Sequence, residues 1–139
     1  NEIGVTVVWS LCHFGYPAHL DPFHPDFALA FAAYCRTCAE FLVREYRGEL
    51  IFCPMIEPSF WAYIGGEKAR FAPGVSGAGW DLKHALCRAA IAGINSLREV
   101  DPACRIINCD PICHVVAPPG REVELQEELV HFNQRLVYQ

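Results

Sequence analysis

Apolar residues follow two different rhythms along this chain, and the alternation between them predicts the architecture. Residues 3–9 (Ile-Gly-Val-Thr-Val-Val-Trp) form a near-continuous β-branched run, the pattern of a strand buried on both faces. A loop rich in Gly, Pro and His follows over 12–25, and Pro25 suits the first turn of a helix, where its missing N–H has no partner to lose. Over 26–47 the apolar residues Phe27, Phe31, Tyr34, Cys38, Phe41 and Leu42 recur at helical spacing, and Gly48 is a natural stop. A second apolar run over 50–56 predicts another buried strand, followed by a long loop over 57–79 in which Gly65-Gly66 and Pro73-Gly74 read as turn punctuation. The next helix is expected over 81–100, with Leu82, Leu86, Ala89, Ile94 and Leu97 along one stripe, ended by Asp101-Pro102. A third strand is predicted over 105–109, and a last helix over 124–138 with Leu125, Leu129, Phe132 and Leu136 three or four residues apart. The order is strand, loop, helix, three times over. Such an order implies an α/β fold of parallel strands joined by right-handed crossovers.

Composition narrows the reading. An apolar content of 53% with 19% charged residues belongs to a chain that builds a real core. The net charge of -5 argues against nucleic acid and anionic membrane surfaces as partners, since both reward clustered Lys and Arg. The longest uninterrupted apolar run, 27–35, falls far short of the roughly 20 residues a membrane span requires. No basic-then-apolar signal segment opens the chain. The eight cysteines sit mostly inside the periodic apolar segments, where a free thiol acts as a small hydrophobe. Most are therefore expected to be reduced core residues, and the compartment cytoplasmic. The chain starts at Asn1 and its last residues read as a helix in mid-course, so both ends are expected to be cut.

In parallel α/β folds, sites form at the carboxyl ends of strands. Here those ends carry His13 and Phe14, then Ile56 and Glu57, then Cys109 and Asp110, with Trp9, Trp61 and Tyr63 nearby. A carboxylate for proton transfer beside aromatic faces on which sugar rings stack is what glycosidic cleavage needs. Each residue also has a plainer reading. Glu57 alone is a solvated loop glutamate, His13 a hydrogen-bonded structural histidine, and Asp110 before Pro111 a turn-starting residue. Trp61 and Tyr63 read equally well as packing the long loop onto the sheet. No spacing matches a phosphate-cradling loop.

Several short motifs resemble, in order, a known family. Thr6-Val7-Val8 with His13-Phe14-Gly15-Tyr16-Pro17 resembles the third-strand segment of glycoside hydrolase family 1, the β-glucosidase family, where His-Trp-Asp-Leu-Pro is usual. Ile56-Glu57-Pro58 resembles that family's Asn-Glu-Pro, and Phe71-Ala72-Pro73-Gly74 its Phe-Ala-Pro-Gly loop. Residues 84–92 resemble the next helix, and 101–107 the approach to the fifth strand. The resemblance implies that residues 1–139 are a single fragment of a TIM (β/α)8 barrel, about its third to fifth units. It implies a retaining hydrolase of β-glycosides with no cofactor and no metal, whose nucleophile and remaining barrel lie outside this chain. Glu57 becomes the general acid/base, His13 and Trp61 substrate-binding groups, and Phe14 an aromatic wall. Ile56 replaces the asparagine that hydrogen-bonds the sugar 2-hydroxyl, and Phe14 for Trp loses an indole donor. An open set of three strands is expected to be marginally stable alone.

Two other classes of function stay open in the residues. A catalytically inactive carbohydrate-binding or scaffold remnant is favoured by Ile56, whose presence removes a transition-state contact but leaves aromatic stacking. A metal site would draw on Cys12-His13, Cys35-x-x-Cys38 or Cys109-x-x-x-Cys113-His114, of which the mid-helix pair suits zinc least.

Overall fold

The computed structural model describes residues 4–112 and 114–135. In it the chain is an α/β unit whose three strands, β1 (Val8–Ser10), β2 (Ile51–Cys53) and β3 (Arg105–Ile106), form one parallel sheet in chain order. Two long helices, α1 (Asp26–Glu45) and α3 (Gly79–Val100), make the crossovers between successive strands. A single-turn helix, α2 (Pro58–Trp61), follows β2 and runs directly into a π-helical turn over Ala62–Glu67. A short helix, α4 (Gln126–Val130), and a second π-helical turn, His131–Arg135, come after β3.

Helices cover one face of the sheet. Trp9, Phe52 and Ile106 stand side by side in the register, and all three join the apolar cluster that α1 and α3 build. Side chains alternate along a strand, so the neighbouring row, Val8, Ile51 and Arg105, points to the opposite face. There Val8 and Arg105 are exposed. The expectation of a first strand buried on both faces is therefore corrected. Its buried-strand composition is real, but Val5 and Val8 are about half exposed because no helix lies over that side. Full burial belongs to β2, which has a strand on each edge.

The strands are also shorter than their apolar runs. Leu11 N–H still bonds Cys53 O at 3.1 Å and Ile107 N–H bonds Phe52 O at 2.8 Å, but the β2 ladder then stops at Pro54. Proline has no N–H to contribute. Pairing resumes once, at a parallel bridge between Ile56 and Cys109.

The two long helices match the predicted spans closely, and the buried stripe of α3 contains Leu82, Leu86, Ala89 and Leu97 as expected, with Ile94 only half-buried. On α1 the stripe is rotated from the one expected. It runs through Phe27, Phe31, Cys35, Ala39 and Leu42, whereas Tyr34 and Phe41 are exposed. Small Cys35 and Ala39 replace large residues on the contact face because α3 approaches closely there. A Cβ on Gly93 would lie 2.9 Å from both Cys35 Sγ and the Phe31 ring. An exposed ion pair between Arg36 and Glu99 joins the same two helices.

The predicted loop over 57–79 is instead helical over nearly its first half. Gly65 and Gly66 are not turn residues but the close-packed side of the π-helical turn. A Cβ on Gly65 would lie 2.6 Å from Ala72 O, and one on Gly66 3.0 Å from Ala78 O. The predicted last helix begins at Gln126 and changes to π geometry at His131; residues 136–139 lie outside the described ones. Filling the α1–α3 contact tests this packing. Gly93→Ala is expected to lower stability by about 1–3 kcal/mol, read as a lower urea midpoint with unchanged slope, since overpacking displaces Phe31 and Cys35. A midpoint equal to that of the parent would show that the helices do not meet at Gly93.

Candidate active site

The carboxyl ends of all three strands converge on Glu57. Ile56 N–H bonds Cys12 O at 2.9 Å, reaching the end of β1. The next amide, Glu57 N–H, bonds Cys109 O at 2.7 Å, reaching the end of β3. Glu57 itself stands at φ 49°, ψ 54°, the left-handed region that a residue with a Cβ rarely occupies. It directly precedes α2, whose Pro58 supplies the preset φ of a first helical residue, and Trp61 N–H returns to Glu57 O at 2.9 Å. Strained backbone of this kind costs about 1–3 kcal/mol and persists only where the surroundings over-determine it. Here three backbone hydrogen bonds do so.

Asp110 adds a fourth tie. Its Oδ1 accepts the Ser59 N–H at 3.1 Å and its Oδ2 accepts the Ser59 hydroxyl at 2.6 Å. Glu57, in the N-cap position of α2, makes no side-chain capping bond, so a carboxylate 51 residues beyond Ser59 in sequence satisfies the helix start instead. Asp110 is therefore more than the start of a turn.

Aromatic rings gather beside this point around Phe14, also in left-handed backbone at φ 57°. Phe60 and Phe71 lie with ring centroids 5.7 Å from Phe14, and His13 at 4.4 Å. His13 is exposed, and Phe14 and Glu57 are half-buried. Trp61 is fully buried behind them, 6.3 Å from Phe14, with its indole N–H donated to Ala72 O at 2.7 Å. It ties the Phe-Ala-Pro-Gly loop to α2 and backs the aromatic group rather than presenting a face to solvent. Two aromatics expected on this rim lie elsewhere. Trp9 packs edge-on against Tyr46 under α1, and Tyr63 packs against Phe132 and His131. Phe60, Phe71 and Ser59 are the contributors that sequence reasoning missed. Phe71 sits in a legible motif, but nothing local marks its meeting with Phe14.

Glu57 lines neither of two cavities found among the described residues. One, of about 400 Å³, lies between the π-helical turn, the start of α3 and α4, with Tyr63, Lys68, Trp80 and Phe132 in its walls. The other, of about 310 Å³, is mostly apolar and lies beneath the loop after β1, between Cys12, Tyr16, Phe31 and Tyr34.

Among the described residues no group of three or more His, Cys, Asp or Glu side chains is placed to hold a metal ion. Cys113 lies outside them. The seven described cysteines are free, and Cys12, Cys35, Cys53 and Cys104 are buried. Burial pushes the thiols of Cys12 and Cys35 up, that of Cys35 to about 12, and neighbouring Cys38 reinforces the shift at Cys35. Both thiols are held protonated, the opposite of what a thiolate ligand requires. No helix among the described residues is long and apolar enough to cross a membrane. Comparisons with protein-family models, curated proteins and solved structures return no match.

The Cys35 shift has a pH consequence with a definite sign. Its folded value of about 12 lies above the ordinary 9.0, so the native state holds this proton more tightly than the unfolded one. The contribution is complete below about pH 9 and is lost as pH rises toward 12. Stability of the parent is expected to fall more steeply over that range than stability of Cys35→Ala. Parallel stability–pH curves for the two would refute the assignment.

Proposed function

We propose that this chain is an arc of about three units of a (β/α)8 barrel belonging to a retaining β-glycoside hydrolase similar to family 1, with Glu57 as its general acid/base. The observation that carries the reading is the fixing of Glu57 at the carboxyl end of the central parallel strand, in left-handed backbone, by hydrogen bonds that the Ile56 and Glu57 amides donate to both neighbouring strand ends. A parallel sheet in chain order, with helices on one face, is also the geometry of a barrel wall.

In this mechanism the Glu57 carboxyl gives its proton to the glycosidic oxygen while a carboxylate outside the chain attacks the anomeric carbon. The aglycone leaves as an alcohol, and a glycosyl ester forms. Glu57, now a carboxylate, takes a proton from the water that displaces the ester and is protonated again. Exposed His13 donates to a hydroxyl of the innermost sugar, and Phe14, backed by Phe60, Trp61 and Phe71, walls the ring. Asp110 is engaged by Ser59, which supports placing the nucleophile elsewhere in the protein. No cofactor or metal enters.

Ile56 carries a second reading, an inactive carbohydrate-binding remnant of the same barrel. Its backbone is used by Cys12, and its side chain offers nothing to a 2-hydroxyl. Turnover of aryl β-glycosides by the full-length protein separates the two. Glu57→Gln is expected to reduce kcat at least ~100-fold, and Ile56→Asn to raise it. Equal rates for parent and Glu57→Gln would remove Glu57 from the chemistry. A parent without turnover that still binds β-glucosides would establish the remnant.

A further inference from the structure

Asp110 has a use that neither a turn nor a helix cap exhausts. We propose that Asp110 is the positioning residue of Glu57, clamping the segment that holds the acid/base to the end of β3. The inference rests on the reading of Glu57 given above and names the group that fixes its aim.

Glu57 is joined to β3 twice. Its own N–H reaches Cys109 O, and two residues on, Ser59 presents both its N–H and its hydroxyl to the Asp110 carboxylate. Cys109 and Asp110 are adjacent, as are the segments they receive, so the two ties form one short rectangle of backbone and side chain. Ser59 is 2% exposed and Asp110 half-buried, so the serine end of the clamp is shielded from water that would compete for the hydroxyl. The left-handed turn at Glu57 lies inside the rectangle. Freed at Ser59, the start of α2 can swing away from β3, and the backbone of Glu57 can relax into an ordinary conformation. That change redirects the carboxyl, because reversing the sign of φ re-aims the Cα–Cβ bond. Asp110 touches no reacting atom in this scheme. It acts through Ser59.

Two measurements on the full-length protein test this. The first is amide hydrogen exchange of Asp110→Ala, Asp110→Asn and Ser59→Ala. Exchange at Glu57 and Ser59 is expected to accelerate at least ~10-fold in Asp110→Ala, less in Asp110→Asn and Ser59→Ala, with Leu86 in α3 unchanged. Unaltered exchange at Glu57, or equal acceleration at Leu86, overturns the proposal. The second is hydrolysis of a phenyl and a dinitrophenyl β-glycoside. Only the phenyl leaving group needs a well-aimed acid, so Asp110→Ala is expected to slow its release at least ~10-fold more than that of dinitrophenol. Equal losses on both substrates would mean a structural role only. Should Glu57→Gln leave hydrolysis unchanged, the reading of Glu57 fails, while exchange still decides whether Asp110 holds the segment.

Discussion

The pairing of β2 on both of its edges is the constraint from which the rest of the molecule follows. Only a strand with a parallel neighbour on each side can have its last residues bonded alternately left and right. Ile56 reaches the first strand end and Glu57 the third. The chain then turns sharply at Glu57, in left-handed backbone held by these bonds, and Pro58 starts α2 at once. Without β3 there would be no acceptor for Glu57 N–H and no carboxylate for Ser59.

The second organising feature is asymmetry across the sheet. The row Trp9, Phe52 and Ile106 anchors the helix layer, and the α1–α3 contact at Gly93 draws that layer tight. The opposite row carries Val8 and Arg105 into solvent. Leu29, Phe41 and Ile91 are exposed on the outward sides of the helices. Among the described residues the apolar side chains are thus divided between a buried core and surface left exposed.

Much of this was legible in the residues. Continuous apolar runs and helical stripes located the three strands and the two long helices, because those signals are local. Two kinds of information were not local. The rotation of α1 onto Cys35 and Ala39 depends on the glycine facing it from another helix, and periodicity alone favoured the larger Tyr34 and Phe41. The helical start of the segment after β2 depends on Asp110, far along the chain, supplying a cap that Glu57 does not. At the site, strand-end position pointed to His13, Phe14, Ile56, Glu57 and Asp110, which the structure places at one end of the sheet. It could not separate Trp61, turned inward, from Phe60 and Phe71, which meet Phe14.

The tie between Ser59 and Asp110 also bears on the order in which the molecule assembles. Contacts that span some fifty residues form slowly, because the intervening chain must first be brought into place. Here that intervening chain is α3, whose own hydrogen bonds are local and form early. The helix shortens the distance between the two strand ends, β3 then docks on β2, and only after that can Glu57 be locked into its turn. During synthesis the carboxyl group proposed for catalysis is thus made before it is aimed, and its geometry waits on the arrival of the segment that follows β3.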